Sequence, residues 1–322
     1  MKLNKLLSLL ADKKFHSGEV LGAALGVTRT SVWKQLHKLE ELGVKIDSVR
    51  GKGYRLPATV ELLAKEKISA ELSDSAKLLL NNIEIYFSVD STNTCAMRHA
   101  QKGANGVICL AEQQTAGRGR RGRQWVSPFA NNVYLSLCWQ FQGGAAQLEG
   151  LSLAVAVAVT QALDVCGVEN IKVKWPNDLL WNGCKLAGIL LEMTGDATGA
   201  CQVVVGIGIN VDMSNIVIDG IDQPWIDISQ ITKKTMSRNK IAGKVIDKLL
   251  LALDQFQKEG FTPFRKDWLA KDAYAEQHII LTTASQNVVG IEKGVNEHGA
   301  LCVETAQGMQ YFHGGEVSVR AI

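Results

Sequence analysis

Residues 115–125, TAGRGRRGRQW, set Arg118, Arg120, Arg121 and Arg123 among Gly117, Gly119 and Gly122 in seven consecutive positions. Guanidinium groups make bidentate contacts with carboxylates and phosphates. Four of them with no acidic neighbour in sequence repel one another until an anion neutralises them. An anion-binding loop is therefore favoured over a solvated charge run, which ordinarily mixes signs. The three glycines also satisfy G-x-G-x-x-G. That dinucleotide turn must follow a strand directly and open a helix, so that a pyrophosphate meets the helix N-terminus. Here EQQTA separates the strand-like GVICLA from Gly117, and QWVSPFANN, with Ser, Pro and paired Asn, does not open a helix. The dinucleotide reading fails. An RNA-binding arginine–glycine tract is also disfavoured, because the segment is isolated between two strands of a folded region.

A second constellation lies in IKVKWPNDLLWNGCKLAGILLE, residues 171–192. Lys174 ends a strand-like run, Trp175-Pro176 forces a turn, Asn177 and Asp178 offer oxygen ligands, and Lys185 opens another strand. A hairpin that gathers two lysines and one carboxylate suits a phosphate with Mg²⁺, which takes one or two carboxylates together with substrate phosphates. The plainer alternative is that Asp178 only stabilises the turn. A third segment, VDSTN at 89–93, reads as a loop after a strand whose hydroxyls and amide suit a polar heterocycle. No Walker A sequence, no G-x-S-x-G elbow and no Cys–His pair of suitable spacing occurs.

These segments need a scaffold. A chain of 322 residues is expected to hold two or three domains. An apolar content of 46% with 21% charged residues is that of a globular protein and excludes disorder. No apolar run approaches the length of a membrane span, and the first residues do not read as a signal peptide, so a cytoplasmic protein is expected. The seven cysteines are odd in number and contain no C-x-x-C, which argues for free thiols and against structural zinc. Net charge is only +3, but residues 1–57 carry eleven basic and five acidic residues, a local +6 on a mildly acidic remainder. That asymmetry assigns phosphate contact to the small N-terminal part.

The N-terminal part reads as three helices. KLNKLLSLL places leucines on one face, Ser17 caps GEVLGAALG, and Thr28 caps RTSVWKQLHKLEELG with Val32, Leu36 and Leu39 inward. Arg29, Thr30, Ser31, Lys34 and Lys38 on the third helix are candidate DNA contacts. VKIDSVRGKGYRLP forms two short strands with Arg50 and Lys52 at the tip of a β-wing. A protein-contact hairpin is the alternative to a DNA-binding winged helix-turn-helix. Residues 66–270 alternate strand-like and helix-like runs, with LSLAVAVAVTQALDVCG read as a buried helix and RNKIAGKVIDKLLLALDQFQKEG as an amphipathic one. Residues 271–322 change to short β runs broken by Gly and Asn, as in a small barrel.

Taken together, DSTN, GRGRRGR with its following Trp125, KWPND, KLAGIL, GIGIN and the terminal GGEVSVR resemble the biotin–protein ligases in family order. With the helix-turn-helix and GKGY wing, the resemblance to the repressor-type members covers nearly the whole chain. It implies an α+β multidomain fold: an N-terminal winged helix-turn-helix (1–60), a central mixed α/β domain similar to class II aminoacyl-tRNA synthetases (66–270), and a C-terminal SH3-like small β-barrel (271–322). It implies biotin and ATP as substrates with Mg²⁺, biotinyl-5′-AMP as the intermediate, a lysine of the biotin carboxyl carrier protein of acetyl-CoA carboxylase as acceptor, biotin-operon operator DNA as a partner, and a homodimer when the adenylate is bound.

The resemblance also implies roles for residues. Ser91, Thr92, Asn93, Gln114, Arg118, Gly119, Arg120, Lys185, Gly188 and Gly208 would bind biotin. Arg118, Arg120, Lys174, Asn177, Asn210 and Trp225 would bind ATP or the adenylate. Lys174, Arg120 and Asp178 would be catalytic, with Asp178 on Mg²⁺. Arg121 and Arg123 receive no role. A biotin-sensing repressor without ligase activity and a lipoate-type ligase are the alternatives; the intact lysines and Asp178 argue against the first, and GRGRRGR with KWPND against the second.

Overall fold

Hydroxyl caps start the second and third helices where the sequence predicts them, in a computed structural model that describes residues 2–57, 60–142, 144–195, 200–213, 221, 223–283, 286–314 and 317–322. α1 (Lys2–Leu10) turns Leu6, Leu7 and Leu10 inward. Ser17 Oγ accepts from the Val20 N–H and starts α2 (Gly18–Leu25); Thr28 Oγ1 accepts from the Ser31 N–H and starts α3 (Arg29–Glu41). Gly26, at φ 66°, ends α2 in the left-handed region that favours glycine. α3 buries Val32, Leu36 and Leu39 and exposes Arg29, Thr30, Lys34 and Lys38. β1 (Asp47–Val49) and β2 (Gly53–Arg55) pair antiparallel as the wing, with Arg50 and Lys52 exposed at its tip. Tyr54 also bridges His16, which ties the wing to the turn before α2. These elements close around a core of their own, which reaches the rest of the chain through Phe129, whose ring centroid lies 4.7 Å from that of Phe87.

Beyond residue 60 the chain is pinned to the body. The Leu63 N–H donates to Glu112, the Ala64 N–H to Asn239, and Arg238 pairs with Glu112 at 2.7 Å with both side chains 4% exposed. α4 (Lys65–Ser69) and α5 (Asp74–Leu79) lead into a seven-stranded sheet. Its strands are β3 (Asn82–Tyr86), β4 (Val107–Ala111), β5 (Val133–Phe141), β6 (Lys172–Lys174), β7 (Asp178–Trp181), β8 (Cys184–Gly195) and β9 (Cys201–Ile209). Their spatial order is β3-β4-β5-β9-β8-β7-β6, parallel at β3–β4 and antiparallel elsewhere. The sheet is therefore mixed. α7 (Leu151–Val165) is the buried helix that its length and Gly167 predict. It packs with α9 (Arg238–Glu259) and α10 (Thr262–Lys271) on one face, while α6 (Thr92–Ala100) covers the other; α8 (Ile228–Thr232) precedes α9. β9 alternates accordingly: Val203, Val205, Ile207 and Ile209 join the α7–α9 core, and Val204 packs with α6.

Two details depart from the sequence reading. Residues 89–93 are not a loop throughout, because Thr92 and Asn93 form the first turn of α6. The 174–185 hairpin also contains a strand of its own, β7, so Lys174, Asp178 and Lys185 lie on a three-stranded meander.

The C-terminal strands β10 (His278–Thr282), β11 (Asn287–Val295), β12 (Leu301–Thr305), β13 (Gly308–Phe312) and β14 (Ser318–Ala321) form an antiparallel sheet in the order β13-β12-β11-β10-β14. Of the GGEVSVR motif, Gly315 and Glu316 lie outside the described residues. Ile279, Leu281, Val295, Leu301, Val303 and Val319 belong to the same continuous core as α7 and α9. Polar contacts reinforce this: the Trp175 Nε1–H donates to Gly299 O at 3.1 Å, and the Arg265 Nε–H to Val295 O at 2.8 Å. No described helix is long and apolar enough to cross a membrane.

Candidate active site

Glycines on one face of two neighbouring strands make room for the site. Gly188 on β8 pairs with Gly208 on β9, and Gly206 lies two residues before Gly208 on the same face. A methyl group at Gly206 would collide with the Asn93 amide, and one at Gly208 with the Trp125 indole. The bare backbone thus admits two side chains from elsewhere, and a cavity of about 650 Å³ opens over it. Every residue that the sequence singled out for biotin or nucleotide lines that cavity: Ser91, Thr92, Asn93, Gln114, Arg118, Gly119, Arg120, Lys174, Asn177, Asp178, Lys185, Gly188, Gly208, Asn210 and Trp225.

The charges converge. Arg118, Arg120, Arg121, Arg123, Lys174, Lys185 and Arg320 line the cavity, against Asp178 as the sole carboxylate among the described lining residues. Lys185 Nζ forms an ion pair with Asp178 Oδ1 at 2.7 Å. Lys185 also lies over the Trp125 ring at 5.4 Å. The Lys174 side chain makes no hydrogen bond or ion pair among the described residues, and its ammonium stands 5.8 Å from the Tyr274 ring centroid. Burial holds Lys174 below the ordinary lysine pKa; Asp178 opposes this, while Lys185, Arg320 and Arg123 add to it. Burial likewise lowers Arg120, against the attraction of Asp178. Arg120 donates to Asn177 Oδ1 at 2.9 Å, and the Asn177 amide donates to Ile189 O at 2.8 Å, which fixes the arginine over the β7–β8 pair. An unpaired ammonium and partly desolvated cations are suited to an anion.

The opposite end is a polar network. Gln114 Oε1 accepts from the Thr92 N–H at 2.8 Å and its amide donates to Ser127 Oγ at 3.0 Å. Ser136 Oγ lies 2.7 Å from Thr92 Oγ1 and 2.6 Å from Asn93 Oδ1, and the Asn93 amide donates to Glu192 at 2.6 Å. Ser91 is 2% exposed and opens α6 without capping it through its side chain. Trp225 is held by backbone pairing of its neighbours, with the Lys185 N–H donating to Pro224 O at 2.9 Å and the Ile226 N–H to Lys185 O at 3.0 Å. The Asn210 amide donates to Ile226 O at 3.1 Å. Asp219, Gly220 and Asp222 in the flank of Trp225 lie outside the described residues.

One inference about the arginine loop changes in three dimensions. Arg118 has an acidic neighbour after all: its Nη2 lies 3.1 and 3.0 Å from the two oxygens of Glu192, and Nη1 donates to Thr94 at 2.9 Å. Glu192 closes the quoted 171–192 segment, but nothing in the sequence pairs it with a loop 74 residues away. Arg121 and Arg123 are exposed. Sequence reasoning also missed Trp125 as a wall and the C-terminal contributors Tyr274, Val317, Ser318 and Arg320. The GGEVSVR motif was the available signal for Arg320.

None of the cavity's described lining residues comes from α3 or the wing, which present the candidate DNA face. Arg29, Thr30, Lys34, Lys38, Arg50 and Lys52 are exposed, while Ser31 is half-buried and lies 3.4 Å from the Gln35 amide. Trp33, 54% exposed and stacked on His37 at 5.7 Å, joins this helix without having been singled out.

Known proteins match this chain over nearly its whole length. Residues 85–210 match the biotin/lipoate A/B protein ligase family, residues 2–55 a helix-turn-helix domain, and residues 275–320 the biotin protein ligase C-terminal domain. The chain is 39% identical to the bifunctional ligase/repressor BirA of Salmonella typhimurium, over 98% of this chain and 97% of that protein. It is 37% identical to the biotin–[acetyl-CoA-carboxylase] ligase of Paracoccus denitrificans, over 71% of this chain and 96% of that one. The biotin protein ligase of Aquifex aeolicus, solved in complex with biotin and ATP, superposes with a TM-score of 0.66 at 27% identity, covering 76% of this chain and all of that structure.

Proposed function

The chain belongs to the bifunctional ligase/repressor family of biotin protein ligases, and from that premise we propose that it activates biotin with ATP, transfers it to a carrier-protein lysine, and binds operator DNA. The observation that carries the enzymatic part is the unpaired Lys174 ammonium in a cavity where cations surround one carboxylate. In the first step the biotin carboxylate attacks the α-phosphorus of ATP, giving biotinyl-5′-AMP and pyrophosphate. In the second, a lysine amine of the biotin carboxyl carrier protein attacks the mixed anhydride, giving an amide and AMP. Neither step needs a nucleophile from the enzyme. Both need positive charge fixed where phosphoryl charge develops.

The roles follow from position. Lys174 and Arg120, desolvated and adjacent to Asp178, sit where a carboxylate and an α-phosphate would meet. Ser91, Thr92, Asn93, Gln114, Gly188 and Gly208 form the polar and bare-backbone end suited to the biotin head group, with Lys185 between the two ends. Arg118 and Gly119 belong to the loop that folds over the ligand, and Asn177, Asn210 and Trp225 to the nucleotide wall. Asp178, the one carboxylate among the described lining residues, fits a Mg²⁺ that takes its remaining ligands from phosphate oxygens. Bound there, the ion would neutralise triphosphate charge.

The +6 N-terminal residues and the exposed basic face of α3 and the wing support operator binding by residues 1–60, with 66–270 as catalytic domain and 271–322 as C-terminal β domain. A repressor that reads a two-fold operator is a homodimer, here in the adenylate-bound form and in the cytoplasm. The test is incubation with labelled biotin, ATP and a carrier domain, then a gel shift on biotin-operon DNA with and without biotin. No labelled carrier would remove the ligase reading, and no shift would remove the repressor reading.

A further inference from the structure

Asp272 and Glu292 are carboxyl groups 5% and 1% exposed that meet where β11 passes the end of α10. Neither forms an ion pair among the described residues. The cations that face them are Lys172 and Lys174 on β6, which act only through space. The Tyr274 N–H donates to Asp272 Oδ1 at 3.1 Å, whereas Asp272 Oδ2 and both Glu292 oxygens find no donor. Two carboxylates left ionised in this setting would repel each other and forfeit their hydration. A single proton resolves both problems, because an acid can donate to a carboxylate and satisfy it.

The pair sits on the connection between Lys174 and the C-terminal sheet. Asp272 bridges Val173, the residue before Lys174, and the Ala273 N–H donates to Val173 O at 2.9 Å. Glu292 is tied to the same turn from β11: its N–H donates to Gln277 O and its carbonyl accepts from the Glu276 N–H, both at 3.0 Å. Tyr274, two residues after Asp272, presents its ring to the Lys174 ammonium. We propose that Asp272 and Glu292 share one proton, and that this acid–carboxylate pair is a positioning device that clamps the C-terminal sheet to β6 and holds Lys174 in place.

The titration agrees in sign. Burial, then the charge of Asp272, pushes Glu292 up to about 9, and burial raises Asp272 as well. Tyr274 is raised by burial and by Glu292 and Asp178, with Arg320 opposing. Between an ordinary glutamate value of 4.5 and about 9, the folded chain binds a proton that the unfolded chain does not. Stability therefore falls as pH rises through that window, and above it the pair carries two charges and the clamp loosens.

The experiment uses the full chain with Glu292→Gln, whose amide donates to Asp272 at every pH, and Glu292→Ala. At pH 7 the infrared difference between wild type and E292Q should contain the C=O stretch of a protonated carboxyl group. Wild-type stability in denaturant should decline from pH 5 to 9 while that of E292Q declines less. The alkaline limb of kcat for biotin adenylation should move up by about one pH unit or more in E292Q, and E292A should lose kcat with little change in KM for ATP. The positioning role rests on the adenylation reading; the shared proton does not. Absence of the infrared band, or identical stability slopes, would overturn the shared proton. A band with an unmoved alkaline limb would overturn the positioning role. A wild-type chain with no adenylation would overturn the ligase reading and the positioning role together, while the band and slopes still decide the proton.

Discussion

The small units at the two ends of the chain are joined to the body by different physics. The N-terminal helices and wing close around a core of their own and reach the body's residues through Phe129 and Phe87. Among the described residues the C-terminal sheet has no separate core: Ile279, Leu281, Leu301 and Val303 continue the one formed by α7 and α9, and Val317 to Arg320 help line the cavity. A unit with its own core can act at a distance from the reaction. A unit that shares the enzyme's core is part of the enzyme.

The sharpest way to break this contrast is truncation. Ending the chain after Asp272 removes several buried aliphatic side chains, each worth about 1.5–3 kcal/mol, a sum comparable to the whole stability of a domain. The expected outcome is a body without a cooperative thermal transition by circular dichroism. A truncated chain that melts like the full one would make the C-terminal sheet an appendage. Next in size, Lys174→Ala should lower biotin adenylation about 10²–10³-fold with the melting temperature unchanged, and near-normal adenylate formation would remove Lys174 from the chemistry.

A matched pair of core truncations separates the two units. Leu301→Ala and Leu36→Ala should each cost about 2–5 kcal/mol. The first should lower the melting of the body and its adenylation together. The second should abolish the gel shift and leave biotin-dependent pyrophosphate exchange intact; coupled losses in both variants would merge the two cores. The smallest effect belongs to Thr28→Ala, which removes the α3 cap seen at Thr28 Oγ1. It should cost about 1 kcal/mol in the N-terminal unit alone, read as a weaker gel shift at unchanged enzymatic activity.

The sequence was most legible where structure is local. Ser17 and Thr28 cap their helices through the next turn, and Lys174, Asp178 and Lys185 meet because two short hairpin turns bring them together. The cavity lining, spread from Ser91 to Trp225, was legible only through the family resemblance of its motifs and not through local structure. Legibility failed where partners are distant or the signal is weak. α6 was hidden because its buried face is Thr92, Asn93, Cys95, Ala96 and Ala100, with no large aliphatic residue to mark a helical period. The Arg118–Glu192 pair and the Trp125 wall over Gly208 depend on strand order. Tyr274 and Arg320 reach the site only because the C-terminal sheet docks through a shared core, which hydrophobic patterning within one segment does not encode.

The central claim, that biotin is adenylated in the cavity shared by the body and the C-terminal sheet and without help from the DNA-binding unit, is tested most directly by biotin-dependent exchange of labelled pyrophosphate into ATP. The measurement is made on the full chain and on a chain beginning at Val60. The expected result is exchange that requires biotin and proceeds at similar rates in both. No biotin-dependent exchange in the full chain, or its loss when residues 1–59 are removed, would contradict it.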